Sequence, residues 1–396
     1  MKKTLFLLVA TATTLTTTAQ SLYYTDSSNK DMARHTMRKE PLRQEIILPT
    51  IDGCKVLKAD LHSHTIFSDG SVTPEYRVRE AWADGLDILA ITEHVEYRPT
   101  ERSMLNFLKG YLPEGTQATN NNIIGKAADE KGILADLNLS NNIATKAAES
   151  YGITIIPGIE ITRTPETIGH YNALFIEDAN TIYAADAAAS IRNARKQGAI
   201  IMHNHPGWRR KDLEMTDFEK QVYAEGLIDG VETMNGSEFY PSAIRRAIDK
   251  TLFMAANTDI HGTTSMDYSN QGHLRNMTFI IAKDARHETI KKALKARRTL
   301  AYSFGTIAGD EKLIKEFFLA SISFETFKTD KNGRRTMRMT NNTSLDYTLN
   351  FGGNPVQLRA FTSRNVTVAK EKELIFTVEN MWIPTEEKHP QFKLKL

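Results

Sequence analysis

The chain has 396 residues, with 50 Lys and Arg against 48 Asp and Glu, a formal charge of +2 and 41% hydrophobic residues. That balance suits a soluble globular protein with one large domain and a small second one, and it excludes the strongly basic field of a general nucleic-acid or membrane surface. The single cysteine, Cys54, excludes an intramolecular disulfide and reads as a packed thiol.

Lys2 and Lys3 precede an apolar stretch from Leu5 to Ala10, and small, Thr-rich residues follow to Ala19. This order predicts a signal peptide over 1–19, cleaved after Ala19, and a secreted or periplasmic mature enzyme. The apolar run is too short to span a bilayer, so no membrane span is expected. Residues 20–50 are polar without periodicity and read as a surface leader.

VLKADLH (56–62) opens the main domain as a strand. Thr73-Pro74-Glu75 then supplies an N-cap, a proline at the first helical position and an acid in the first turn, and the helix runs to about Asp84. Strand ILAIT (88–92) follows. The alternation continues through helix 141–151, strands 153–161 and 171–176, helix 186–197 and strand 199–203. Strand 230–234, helix 241–250, strands 252–257 and 277–282, helix 287–297 and strand 299–303 complete it. Strands alternating with helices of about ten residues imply parallel pairing and a barrel.

Residues 98–140, rich in Pro, Gly and Asn, break this rhythm and are placed to form a lid or pocket wall. From 311 to 396 the runs alternate apolar with polar residues, beginning with Phe317-Phe-Leu-Ala-Ser-Ile-Ser-Phe, and predict a small antiparallel β module. No cluster in it carries chemistry. Its partner is unknown, and packing or spacing is the expected role.

The chemistry lies in the histidines. His62 and His64 sit on one face of a strand, their Cα atoms roughly 6.5 Å apart, close enough for two imidazoles to hold one cation. Asp69 follows just past the strand end. His94, Glu160, His205, Asp259 and His261 each end an apolar strand-like run, whereas His170 stands just before one. Strand C-termini are where α/β barrels gather catalytic residues, and scattered surface histidines would show no such placement.

These segments make the chain recognisable. DLHSHTIFSDG, AITEH ending at His94, PGIE ending at Glu160, GH at 169–170, HNHPGW around His205 and NTDIH at 257–261 stand in the order of the PHP (polymerase and histidinol phosphatase) family, and the chain resembles that family over residues 56 to about 305. One departure is Glu93, where the family usually has Asp; another is the 98–140 insertion. The resemblance implies a distorted (β/α)7 barrel over 51–310 and three divalent ions. His62 and His64, with Asp259 and Glu160, would hold the first ion; Asp69, His94 and His261 the second; Glu160, His170 and His205 the third. Such imidazole-rich shells suit Zn²⁺, Mn²⁺ or Fe²⁺.

Three ions bring +6 and the carboxylates of Asp69, Glu160 and Asp259 bring −3, so a bridging hydroxide would leave a centre near +2, a match for a phosphate dianion. The expected activity is hydrolysis of phosphate esters of a small molecule (nucleotide, sugar phosphate or phosphodiester) by a metal-activated hydroxide, with Asp69, Glu160 and Asp259 as the catalytic carboxylates. An amidohydrolase-type reaction on a non-phosphate substrate and a non-catalytic binding module derived from the family are the alternatives.

Arg98, Arg163 and Arg209 flank the motifs as candidate phosphate contacts, and Trp208 as a stacking or packing ring. Asn172 and Asn204 could orient ligands. His203 shares its strand face with His205, but the family's third-site ligand directly precedes Pro, which selects His205; His203 is read as substrate-facing. Alternation points Glu93 away from the metal that His94 would bind, towards a supporting role.

Overall fold

The computed structural model describes Asp31, residues 42–101, Ser103 and residues 136–370, 372–385 and 388–395. The signal-like segment 1–19, most of the leader and the central part of the 98–140 insertion lie outside the described residues. Residues 42–396 form one compact unit.

The main sheet is built from β1 (Cys54–Asp60), β2 (Ile88–Ile91), β3 (Thr154–Thr162), β4 (His170–Leu174), β5 (Ile200–Asn204), β6 (Gly230–Asn235), β7 (Phe253–Asn257), β8 (Met277–Ala282) and β9 (Thr299–Ser303). These nine run in the order β9-β8-β1-β2-β3-β4-β5-β6-β7, and beyond β9 the sheet continues through Thr306–Ala308 to Met381–Trp382. The helices are α1 (Pro74–Ala83), α2 (Leu139–Ala148), α3 (Ala187–Lys196), α4 (Asp217–Ala224), α5 (Pro241–Asp249), α6 (His287–Lys295) and α7 (Glu311–Ser321). The Thr73 hydroxyl caps α1 as its sequence predicts. Asp186 does the same for α3, and Thr216 with Glu219 forms a capping box on α4.

The all-parallel expectation is corrected. β4 is antiparallel to β3 and β5, and β8 to β1 and β9. The segments carrying α3 and α6 join strands at the bottom of the sheet instead of returning the chain to its mouth. β4 therefore starts where its neighbours end, which puts its first residue, His170, at the mouth with the others. The result is a curled mixed α/β half-barrel. Its interior is filled by alternate residues, Leu57 and Ala59 of β1, Ile88 and Ala90 of β2, Ile200 and Met202 of β5, and Phe253 and Ala255 of β7.

Where the sheet curls round, β7 is bound to β8 and β9 by side chains instead of a ladder. The Thr299 hydroxyl donates to Met254 O (2.8 Å) and Thr278 to Ala256 O (3.0 Å), each also accepting a β7 N–H. Asn257 Oδ1 accepts from Leu61 N at 2.8 Å. Past the strand ends only a short parallel bridge joins Ser63 to Ile260.

The C-terminal part holds a three-stranded antiparallel sheet (Ile322–Thr329, Arg335–Asn341, Ser363–Val368) and a four-stranded one (Pro355–Leu358, Tyr347–Asn350, Leu374–Val378, Gln391–Leu394). The run at Phe317, read as a strand, is instead the end of α7. Asp310 caps that helix through Lys312 N and Leu313 N, and Leu313, Ile314, Phe317 and Phe318 form its buried stripe. The alternating pattern begins only at Ile322. These sheets share one hydrophobic core with the outer face of the half-barrel, in which Phe318, Tyr347, Phe376 and Phe392 join Val56, Val78, Phe279 and Leu300.

Candidate metal centre

At the mouth, nine side chains from the ends of β1, β2, β3, β4, β5 and β7 converge into four overlapping groups whose donor atoms lie within 4.8 Å of one another. His64, Asp69, His94 and His261 form one group. His62, His205 and Asp259 form a second, His62, His64 and Glu160 a third, and Glu160, His170 and His205 a fourth. All nine sequence candidates are brought together. The grouping is more interlocked than three separate sets, because His64 stands between Glu160 and the Asp69 group and His205 reaches both Glu160 and Asp259.

Each side chain is aimed by its backbone. The 65–70 loop doubles back so tightly that a Cβ on Gly70 would lie 2.8 Å from the backbone of Thr65, and the fold-back presents Asp69 to His94 (3.4 Å) and His261 (3.2 Å). His205 and Asp259 have φ of +24° and +53°, a left-handed region costly for residues other than glycine. Such strain, about 1–3 kcal/mol at each residue, persists only where the surroundings over-determine it, and both rings or carboxylates it turns are in the centre.

Glu160 is buried at the middle, 2.5 Å from His94 Nδ1, 3.2 Å from His170 Nδ1 and 3.4 Å from His62 Nε2, and it accepts from Asn204 Nδ2 at 2.8 Å. Asp259 Oδ1 lies 3.0 Å from His64 Nε2 and 3.1 Å from His62 Nε2. Packed this closely in a buried site, several of these groups shift hard. Burial, then the neighbouring His261 and His94, pushes His64 down to about 3. Burial opposes the charged form of His94 too, but Glu160 and Asp69 hold it up at about 10. Against its own burial, Glu160 is held well below the usual carboxylate range by His94, His62 and His170.

The donor set fits divalent cations. His62 Nε2, His64 Nε2 and His170 Nδ1 are buried and make no hydrogen bond although carboxylate oxygens stand beside them. Ring nitrogens that face carboxylate oxygens without hydrogen-bond geometry suit a shared metal ion, and the mixed imidazole and carboxylate donors suit Zn²⁺, Mn²⁺ or Fe²⁺. Two rings of the centre are held from behind, as metal-binding histidines commonly are: His62 Nδ1 lies 3.0 Å from Glu232 and His261 Nδ1 2.7 Å from the Asp259 carbonyl.

Glu232 escaped the sequence reading. It is a buried carboxylate in β6, a strand that also holds Thr233 and Asn235, and it is bonded also to Asn257 Nδ2, Asn235 Nδ2 and His205 N. An acid between Val231 and Met234, in a run that reads as a strand, was the available signal. Glu93 is buried as well and accepts from Thr65 N and from the hydroxyls of Thr65 and Ser68, so it holds the Asp69 loop. Asn172 donates to Leu61 O and accepts from Asn204.

The substrate-contact candidates divide: His203 and Arg98 lie off the cleft, whereas Arg163, Trp208 and Arg209 line it. His203 faces away from the centre: its Nδ1 meets the Tyr223 hydroxyl at 2.9 Å, its ring stacks on Tyr171, and it joins none of the donor groups. Strand alternation fails because β5 ends at Asn204 and the positive φ of His205 re-aims the next side chain. Arg98 is buried between Glu101 and the His94 carbonyl, and does not line the cleft. Arg163 lines it but is paired with Glu96 and bonded to Ala184 O. Trp208 meets His170 and His205 edge-on and carries the Arg209 guanidinium 4.6 Å from its ring centre. With Tyr97 they wall a cleft of about 520 Å³ that opens onto Asp69, His94, His170, His205, Asp259 and His261 of the centre.

The PHP domain model matches residues 60–305. A two-domain Bacteroides vulgatus protein described as containing a predicted PHP-like metal-dependent phosphoesterase is 32% identical, over 91% of this chain and 100% of its own, with a TM-score of 0.77. The lesion-specific endonuclease EndoQ of Pyrococcus furiosus is 16% identical over 65% of this chain and 59% of its own, with a TM-score of 0.36, an overlap too low to carry an argument. No curated protein matches the sequence. The family model spans all nine side chains of the centre and the Bacteroides vulgatus structure covers most of the chain, and the chain belongs to the PHP domain family, among the PHP-like metal-dependent phosphoesterases.

Proposed function

We propose that this protein hydrolyses a phosphate ester of a small molecule in the cleft over the His/Glu/Asp cluster. The observation that carries this reading is the convergence of buried imidazoles on Asp69, Glu160 and Asp259 beneath an open cleft, with the Nε2 atoms of His62 and His64 and Nδ1 of His170 lacking hydrogen-bond partners. Three ions are the number we propose, with His62, His64, Asp259 and Glu160 around the first, Asp69, His94 and His261 around the second, and Glu160, His170 and His205 around the third. Divalent ions bound there would supply Lewis acidity, lowering the pKa of water and drawing charge from phosphoryl oxygens.

The chain's own residues do the rest. Asp69, Glu160 and Asp259 set the charge of the centre and divide it between the imidazoles. Glu232 and the Asp259 carbonyl fix ring orientations. The cleft volume falls within the usual range of about 300–1,000 Å³ for small-molecule sites, with Trp208, Tyr97 and Arg209 as walls that contact the leaving group. The order of residues 2–19 supports export, which would make the activity a scavenging one.

The test is a phosphate-release screen over mono- and diesters, on protein loaded with Mn²⁺, Zn²⁺ or Fe²⁺ and analysed for metal content. Metal-dependent release supports the proposal. A loaded protein that spares every ester and cleaves amides or lactones belongs to the amidohydrolase reading, and one that takes up no metal is a binding module.

A further inference from the structure

We infer that Arg77 is a positioning residue for the metal centre, clamping the strand end that carries His62 and His64 to the turn that carries Asp259 and His261. The inference rests on the metal-centre reading above.

Arg77 lies on α1 in the stripe with Pro74, Val78 and Ala81, and its side chain is wholly buried. A guanidinium there must find acceptors for five N–H bonds. Arg77 finds them in the backbone of two separate segments. Nε and Nη2 donate to His64 O (3.2 and 3.0 Å), and Nη2 also to Ile260 O (3.3 Å) and Gly262 O (2.8 Å), while Nη1 pairs with Glu80 at 3.1 Å.

Those segments are the two sides of the seam where β1 and β7 share no ladder. Beyond their ends, His64 N to Ile260 O (3.1 Å), Asp259 N to His62 O (2.9 Å) and, past the 65–70 loop, Ser71 N to His261 O (2.8 Å) are backbone bonds across the join. The clamp continues through a chain of charges. Glu80 accepts from Thr264 N, Asp84 from the Thr264 hydroxyl and Arg275, and Arg275 donates onward to Asp60, which also accepts from His62 N and Thr258 N. Both flanks of the seam are thus held from behind by one continuous network, buried at Arg77, Arg275 and Asp60 and partly exposed at Asp84. A merely space-filling arginine would have no need to bond three carbonyls that each lie within two residues of a proposed ligand. A lysine could not reproduce the fork, since its donors diverge from one point.

The experiment uses the full chain with Arg77→Met and Glu80→Gln. Hydrogen exchange by mass spectrometry on chelator-treated protein reads the clamp directly, without metal. Zinc retained after dialysis against graded free Zn²⁺ reads its consequence. For Arg77→Met we expect faster exchange in peptides covering 62–66 and 257–264, unchanged exchange in 335–341, and zinc affinity lowered about 10–100-fold, the usual effect of losing a residue behind a ligand. Glu80→Gln, which leaves Arg77 in place, should give the same pattern more weakly, and decides the matter if Arg77→Met does not fold. Wild-type exchange in both segments, or exchange raised throughout the chain, overturns the inference. If the unmodified protein itself retains no zinc, the metal reading fails while the exchange pattern still decides whether Arg77 is the clamp.

Discussion

His62 and Glu232 stand 170 positions apart in the chain, yet Nδ1 of one lies 3.0 Å from Oε1 of the other, and neither side chain reaches solvent. The contact leaves Nε2 of His62 turned towards Glu160 and Asp259. A carboxylate behind a ligand fixes its tautomer and raises its basicity. Replacing Glu232 by Gln keeps the shape and removes the charge. We expect metal affinity about 10–100-fold lower with the secondary structure unchanged, read by titration calorimetry and circular dichroism.

His62→Ala and Asp259→Ala should each abolish phosphoesterase activity while leaving a folded protein. Both sit where the first ion is proposed, and each takes a donor from overlapping groups. Turnover near the wild-type rate by either purified variant would refute the assignment.

His203 and His205 separate cleanly. His205→Ala should lower the metal content. His203→Ala should keep the metal and lose stability instead, because it removes the partner of the Tyr223 hydroxyl inside a buried polar cluster, a cost of about 1–3 kcal/mol. Elemental analysis and thermal melts of both variants check this. Metal lost from the His203 variant and kept in the other would show that the strand register has been misassigned.

Chelator-treated protein should show a maximum of stability near neutrality. His94 is raised to about 10, so its stabilising contribution is complete below its ordinary value near 6.5 and is lost as pH climbs through 10. His64 is lowered to about 3, so the folded state resists a proton that the unfolded chain accepts, and stability falls as pH drops from about 6.5 towards 3. Melting temperatures from pH 4 to 10 test both limbs. Restoring Zn²⁺ should flatten the alkaline limb, since bound His94 no longer carries the proton, and should release protons measurable by calorimetry in buffers of differing ionisation enthalpy.

Much of this site was legible because its donors sit at strand ends, and apolar runs betray strand ends. His62, His94, Glu160 and Asp259 all follow such runs, and His170 was legible in place though not in reason, since only the antiparallel direction of β4 explains a donor at a strand's beginning. Glu232 was hidden because a single acid within a strand looks the same in sequence whether it backs a ligand or pairs with a distant amide. Period-two reasoning misplaced His203, since one positive φ at His205 is enough to break it and nothing local forecasts that angle. Reading Phe317 onward as a strand failed for a similar reason: a short helix with two adjacent buried phenylalanines imitates alternation until its Asp310 cap is weighed.

Met381–Trp382, far along the C-terminal part, pairs in parallel with Thr306–Ala308 and so becomes the outermost strand of the metal-binding sheet. During synthesis, which exposes a chain from its N-terminal side at about 5–20 residues per second, all nine proposed ligands leave the ribosome long before that edge can be paired. The half-barrel must wait for its last strand with an open flank. Truncation or translational stalling between residues 310 and 380 would therefore strand a ligand-complete but edge-incomplete intermediate, a species prone to capture by another unpaired strand or by chaperones.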